Sequence, residues 1–102
     1  MAKLTLATCQ FPIRADVRAN ARHIRRQMRQ AGRRGAHLVH FSECCLSGYA
    51  GVELESTGQI DWGVLREETE GIMALAGELG LWVVLGSTHR LSAGHKPHNS
   101  LY

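Results

Sequence analysis

The sequence lacks any long apolar run. Its most apolar stretch, residues 79–86, is far shorter than the roughly 20 residues that a membrane-spanning helix requires. No apolar block of signal-peptide length follows Met1, because the polar residues Lys3 and Thr5 interrupt the first positions. These absences predict a soluble, cytoplasmic protein with no membrane partner.

Cysteine is scarce and shows no regular spacing. The three cysteines are Cys9, Cys44 and Cys45. An odd number cannot all pair within one chain, and two adjacent cysteines are poorly placed to bridge each other, so a disulfide-rich secreted domain is excluded. No Cys-x-x-Cys pair is present and the histidines match no compact ligand motif, so we expect no metal site.

Acidic residues are nearly absent from segment 14–34, which contains eight arginines and a single acid, Asp16. The same segment carries apolar residues at steps of four and three, namely Val17, Ala21, Ile24, Met28 and Ala31. This spacing predicts an amphipathic helix whose arginines form a solvated outer face. Because no aromatic residues alternate with the arginines, we expect no nucleic-acid partner despite the net charge of +3.

The remaining patterns alternate between strand and helix. The predicted strands are residues 3–9, 36–41 and 81–85, with a fourth beginning at 99–102, and the predicted helices run from Asp16 to Gly35 and from Asp61 to Gly80. The buried side of the second helix is predicted to be Leu65, Ile72, Leu75, Ala76 and Leu79. This order predicts an α/β fold of parallel strands joined by right-handed crossovers.

The sequence stops within the predicted fourth strand, with no turn or polar tail after it. We therefore expect residues 1–102 to be the N-terminal portion of a single larger domain. In such a fragment the helices lie on one face of the sheet. The other face is then apolar and bare, and prone to associate.

Glu43 is the most informative polar residue, because it follows the apolar second strand directly. Ligands of parallel sheets bind beyond the carboxyl ends of the strands. A carboxylate held there and partly removed from water is suited to act as a general base. The alternative is an acid that caps the following loop or pairs with an arginine. Other polar residues predicted at this edge are Cys9, Gln10, Ser87, Thr88 and His89.

Four segments together give the chain a family resemblance. They are ATCQF at residues 7–11, the helix that includes Asp16, Asn20 and Ile24, GAHLVHFSE with LSGY at residues 35–49, and LWVVLGS at residues 81–87 with NS at 99–100. In this order they resemble the N-terminal part of the nitrilase superfamily of carbon–nitrogen hydrolases. The resemblance covers nearly the whole chain. One departure is Ser42, where the family often has proline.

The resemblance implies a four-layer αββα sandwich, of which this chain holds the β-α-β-α-β-β part. It also implies a Glu–Lys–Cys triad in which Glu43 is the catalytic general base. The cysteine thiolate would attack an amide or nitrile carbon, and no metal or organic cofactor would be needed. The family positions of the lysine and the cysteine lie beyond Tyr102. Neither Lys96, in a turn, nor Cys44 and Cys45 take those roles.

The resemblance therefore predicts that the complete protein is an amidase or nitrilase-type hydrolase that acts on a small-molecule amide or nitrile. It further predicts a homo-oligomer, and it predicts that these 102 residues are inactive alone. Two other readings stay open. One is a flavodoxin-like binding module, although Gln10 and Pro12 stand where a glycine-rich phosphate loop would be. The other is a truncated, non-catalytic protein that docks on a full-length partner.

Overall fold

The computed structural model describes residues 2–102 and has the predicted α/β fold. Its elements are β1 Leu6–Cys9, α1 Val17–Arg33, β2 Leu38–Phe41, a short 3-10 turn Thr57–Gln59, α2 Trp62–Leu79, β3 Trp82–Val84, β4 Gly86–His89 and β5 His98–Leu101. Strands β1, β2 and β3 form one parallel sheet with β2 in the centre. The predicted parallel arrangement of the first three strands is confirmed.

Both helices begin and end at the residues that the sequence indicates. The carboxylate of Asp16 accepts a hydrogen bond from the Ala19 amide, and that of Asp61 accepts one from Val64. Each bond satisfies an amide that the first helical turn leaves unpaired. After α1, Gly35 adopts a φ of +81°, and Gly80 ends α2 in the left-handed conformation. Local capping chemistry therefore sets the helix limits.

The two helices pack against each other and share one core with the sheet. The predicted apolar stripe of α1 is buried, and Val39 and Phe41 of β2 are buried beneath the helices. On α2 the prediction is only partly right, since Leu65, Ile72 and Leu75 are buried while Leu79 is exposed. Burial declines along the last turn of α2, so this turn lies outside the packed surface.

The opposite face of the parallel sheet is uncovered within residues 2–102. Leu6, Leu38 and Trp82 lie side by side in register across the three strands. Leu6 is 57% exposed and Trp82 77% exposed. The next row in register on this face, Thr8, His40 and Val84, includes two exposed polar residues. The predicted bare face is therefore confirmed, but it is apolar only in part.

The chain after β3 forms a second, two-stranded sheet. The sequence predicts β5 but not β4, which pairs with it in antiparallel register from Gly86 opposite Leu101 to His89 opposite His98. Backbone hydrogen bonds in both directions between Leu85 and Tyr102 extend this hairpin toward β3. Neither α1 nor α2 is apolar enough over a sufficient length to cross a bilayer.

Candidate functional site

Glu43 lies in the tight turn that follows β2, at the carboxyl end of the central strand. Around it the backbone is unusual, because Cys44 adopts a φ of +51°, a conformation that is uncommon for residues other than glycine. The next residues, Cys45, Leu46 and Ser47, are buried. The side chain of Glu43 itself is exposed, whereas the sequence predicts partial removal from water.

Helix α1 contacts this turn through the side chain of Asn20. Asn20 is fully buried, and its side-chain amide donates to the carbonyl oxygens of Leu46, at 3.0 Å, and Arg14, at 2.8 Å. The Asn20 oxygen accepts from the Arg14 amide. Both the NH₂ group and the oxygen of the buried Asn20 side chain thus have hydrogen-bond partners. These bonds hold the start of α1 to the turn after β2.

The β4–β5 hairpin holds the turn from the other side. Ser47 Oγ lies 3.1 Å from Thr88 Oγ1, and the Thr88 amide donates to Ser47 Oγ at 3.0 Å. Asn99, which faces Thr88 in the hairpin, donates from its side-chain amide to the carboxylate of Glu43. Asn99 was not predicted as a site residue. Asparagine is disfavoured in strands, so its presence within a predicted strand was the feature that could have indicated a role for Asn99.

Close packing of backbone against backbone brings the hairpin to the turn at Gly86. A Cβ atom added to Gly86 would lie 2.4 Å from the Ser42 oxygen, 2.7 Å from the Cys44 nitrogen and 3.0 Å from the Glu43 Cα. The Leu46 amide also donates to the Gly86 carbonyl at 3.2 Å. Only glycine allows this approach, so Gly86 sets how closely the Glu43 turn lies against β4.

Replacing Gly86 with alanine is therefore expected to destabilise the protein by about 1–3 kcal/mol, since the backbone must move to admit the methyl group. Gly77 is the matched control, because it lies in α2 with no atom within 4 Å of an added Cβ. Gly77→Ala is expected to stabilise the protein by up to ~1 kcal/mol, because alanine has a higher helix propensity than glycine. Urea denaturation of both variants measures the contrast. Equal midpoints for the two variants would show that the approach at Gly86 is not tight.

Burial makes the cysteines of this turn poor nucleophiles as they stand. Desolvation raises the pKa of Cys45 from 9.0 to about 12, and it also raises the pKa of Cys44 and of Cys9. The thiol of Cys45 donates to the Gly86 carbonyl at 3.5 Å. These thiols therefore stay protonated at neutral pH. Because the thiolate is the reactive form, protonated thiols are poor nucleophiles.

The raised pKa of Cys45 predicts a loss of stability in alkali. An unfolded chain ionises this thiol near pH 9, whereas the folded chain resists ionisation until about pH 12. The stabilising contribution is therefore present below about pH 9 and falls as the pH rises toward 12. Denaturation of the wild type and of Cys45→Ala at about pH 8 and about pH 10.5 should show the steeper decline in the wild type. An equal loss of stability in the two proteins would contradict the raised pKa of Cys45.

The other residues predicted at the sheet edge take varied positions. Ser87 and Thr88 are buried within β4 rather than at a strand end, because β4 is an added strand. His89 shares a hydrogen bond with the hydroxyl of Tyr102. Lys96 is exposed in the turn of the hairpin, as predicted. Within residues 2–102, no three histidine, cysteine, aspartate or glutamate side chains come together as metal ligands would.

The sequence of the chain matches the family model described as carbon-nitrogen hydrolase over residues 5–102. No curated protein sequence gives a significant match. The family match covers both sheets, both helices and the Glu43 turn, in agreement with the resemblance found in the sequence. The chain therefore belongs to the carbon–nitrogen hydrolase family, the nitrilase superfamily.

Proposed function

We propose that the protein hydrolyses a non-peptide carbon–nitrogen bond of a small amide or nitrile, with Glu43 as the general base. The observation that carries this proposal is the position of Glu43. Its carboxylate lies at the carboxyl end of the central parallel strand, exposed toward solvent and bonded to Asn99. Parallel sheets bind their ligands at this edge. Family membership supports the hydrolase class, and the position of Glu43 supports its role.

In the proposed reaction the Glu43 carboxylate takes the proton of a cysteine thiol. The resulting thiolate attacks the amide carbon, and a lysine stabilises the oxyanion of the tetrahedral intermediate. As the carbon–nitrogen bond breaks, the protonated Glu43 returns the proton to the leaving amine. The carboxylate then activates a water molecule, which releases the acid from the acyl-enzyme. Nitriles react at the corresponding carbon.

The nucleophile of this scheme is not assigned to Cys9, Cys44 or Cys45. Cys44 and Cys45 are buried, and burial raises the pKa of all three thiols. The family pattern places both the lysine and the nucleophilic cysteine after the position of Tyr102. We therefore propose that residues 1–102 form the N-terminal portion of one domain, completed by residues that supply those two groups. The bare face with Leu6 and Trp82 would be covered by the second sheet of the sandwich.

The test uses protein expressed from its complete reading frame. A panel of small amides, nitriles and carbamoyl amines is screened for release of ammonia or amine, and intact-protein mass spectrometry detects an acyl group on a cysteine. Hydrolysis with a trapped thioester supports the proposal. If no substrate class is turned over and no thiol is acylated, the proposed function is wrong.

The 102-residue chain assayed alone provides a second test. We expect it to be inactive, because the lysine and the nucleophile are proposed to lie outside it. Glu43-dependent hydrolysis by this chain would show that the nucleophile lies within it, and the assignment of the missing groups would then be wrong.

One observation favours a second candidate, a non-catalytic interaction protein. The in-register row of Leu6, Leu38 and Trp82 is an exposed apolar surface of the kind that binds other proteins. Sedimentation of the 102-residue chain distinguishes the two candidates when combined with the activity assay. A stable dimer of the 102-residue chain, together with a complete protein that turns over no substrate, would favour the interaction protein.

A further inference from the structure

The side chain of Asn99 lies between two groups of the Glu43 turn. Its nitrogen donates to Oε1 of Glu43, and its oxygen accepts from the thiol of Cys44 at a sulfur-to-oxygen distance of 3.3 Å. The hydrogen bonds connect positions more than fifty residues apart in the chain. One carboxamide therefore bridges the hairpin to two consecutive residues of the turn.

The chemistry of the neighbours determines which way this carboxamide faces. A carboxylate only accepts hydrogen bonds, so the NH₂ end faces Glu43. The oxygen end then faces Cys44, whose thiol can donate as long as it stays protonated. Burial raises the pKa of Cys44 and so keeps it protonated at neutral pH. Both ends of the amide are thus matched to their partners.

The strand that carries Asn99 is itself connected to the Glu43 turn. Asn99 lies opposite Thr88 in the β4–β5 register, and Thr88 is buried with two hydrogen-bond contacts to Ser47 of the same turn. The close approach of Gly86 to the backbone of residues 42–44 adds a third connection. A donor on such a framework restricts the rotamers of the exposed Glu43 side chain.

We propose that Asn99 is a positioning residue, which holds the Glu43 carboxylate in the orientation required for proton abstraction, with Cys44 fixing the orientation of its amide. This inference rests on the proposed function, because it assumes that Glu43 is the base. Asn99 acts through Glu43 and is not itself assigned a contact with substrate. The geometric demand is strict, since a misplacement of about 1 Å can reduce a rate by about 10²-fold.

The kinetic test compares Asn99→Ala, Asn99→Asp and the control Ser100→Ala in protein from the complete reading frame. Ser100 is the next residue of β5 and is partly buried, so its variant reports nonspecific disturbance of the strand. We expect Asn99→Ala to reduce kcat by about 10–100-fold with KM changed by no more than about twofold, because orientation and not substrate binding is lost. Ser100→Ala should stay close to the wild type.

Asn99→Asp separates a hydrogen-bonding role from a packing role. Aspartate keeps the size of asparagine but replaces the donor with a second carboxylate, which repels Glu43. Positioning by the donor therefore predicts that Asn99→Asp is at least as impaired in kcat as Asn99→Ala. A packing role predicts the reverse order, and that order would overturn the proposal.

A spectroscopic measurement tests the contact without any activity. The 102-residue chain contains two asparagines, Asn20 and Asn99, so selective ¹⁵N labelling of this chain gives a simple side-chain amide spectrum. We expect Glu43→Ala to move the Asn99 NH₂ resonances and to leave those of buried Asn20 in place. The control Glu70→Ala removes an exposed carboxylate on α2 and should move neither. Unchanged Asn99 resonances in Glu43→Ala would overturn the proposal.

The outcomes also separate this inference from the proposed function. If Glu43→Gln is inactive while both Asn99 variants have normal kcat, only the positioning role fails. If Glu43→Gln keeps full activity, the role of Glu43 as base fails, whatever the Asn99 variants show.

Discussion

Replacing Glu43 with glutamine is expected to reduce kcat/KM on the proposed amide or nitrile substrate by about 10³-fold or more, because general-base catalysis commonly contributes 10²–10⁴-fold. Glutamine keeps the shape of glutamate and can still accept a hydrogen bond from Asn99. It cannot take up a proton from a thiol. The same group is proposed to serve both the acylation and the water step, so its loss affects the reaction twice.

The fold is expected to survive this change, because the Glu43 side chain is exposed and its described polar contact is one hydrogen bond at the surface. Thermal unfolding of Glu43→Gln should therefore resemble that of the wild type. The matched control is Glu53→Gln, in which the amide oxygen can still accept from the Tyr49 amide as the carboxylate does at 2.8 Å. Near-normal turnover by Glu43→Gln would remove Glu43 from the mechanism.

The second large effect is expected at Glu68, the one acidic residue buried within α1 and α2. Its carboxylate contacts two arginines of α1, with Oε1 at 2.8 Å from Arg18 and Oε2 at 2.6 Å from Arg25. The Arg25 contact is a close charge pair without hydrogen-bond geometry, which leaves Oε2 without a directed donor. The arginine face of α1 is therefore not solvated throughout, because part of it binds α2.

Glu68→Gln is expected to lower the free energy of unfolding by about 3 kcal/mol, because it leaves the partly buried Arg25 guanidinium without the carboxylate that it pairs with. The adjacent Glu67 is the control. It is 67% exposed in its side chain and pairs with Arg18 at 2.9 Å, so Glu67→Gln should cost less than about 1 kcal/mol. Chemical denaturation of both variants measures the difference.

A double-mutant cycle with Arg25 extends this test. Arg25 is only 27% exposed in its side chain, whereas Arg18 is 49% exposed, so we expect the larger coupling energy to Glu68 at Arg25. If Glu68→Gln and Glu67→Gln destabilise equally, the buried pair does not hold the two helices together, and apolar packing alone does.

Much of the fold followed from local patterns in the sequence. Asp16 and Asp61 were predicted as caps, and both accept the expected amide hydrogen bonds. The helix limits, the apolar stripe of α1 and the three parallel strands were predicted for the same reason. Helix caps and hydrophobic periodicity depend on residues a few positions apart, so they can be predicted from short segments of the sequence. Family membership was likewise predicted from motifs in order and is confirmed by the match over residues 5–102.

The site was predicted only in part. Glu43 was placed correctly at the end of β2, and its role as base stays a prediction. Its exposure and its bond to Asn99 were not foreseen, because Asn99 reaches it only through the unpredicted pairing of β4 with β5. Strand pairing joins segments that no local pattern connects.

The sequence alone determined which segments are helical, which are extended, and to which family the chain belongs, because those properties depend on short-range spacing and on residue identity. Tertiary structure decided which polar groups meet. It buried Glu68 between two helices, left Leu79 outside the core, and required glycine at position 86 so that the hairpin could lie against the Glu43 turn. These outcomes depend on distances between surfaces that are remote in the chain, and such distances exist only once the elements have packed.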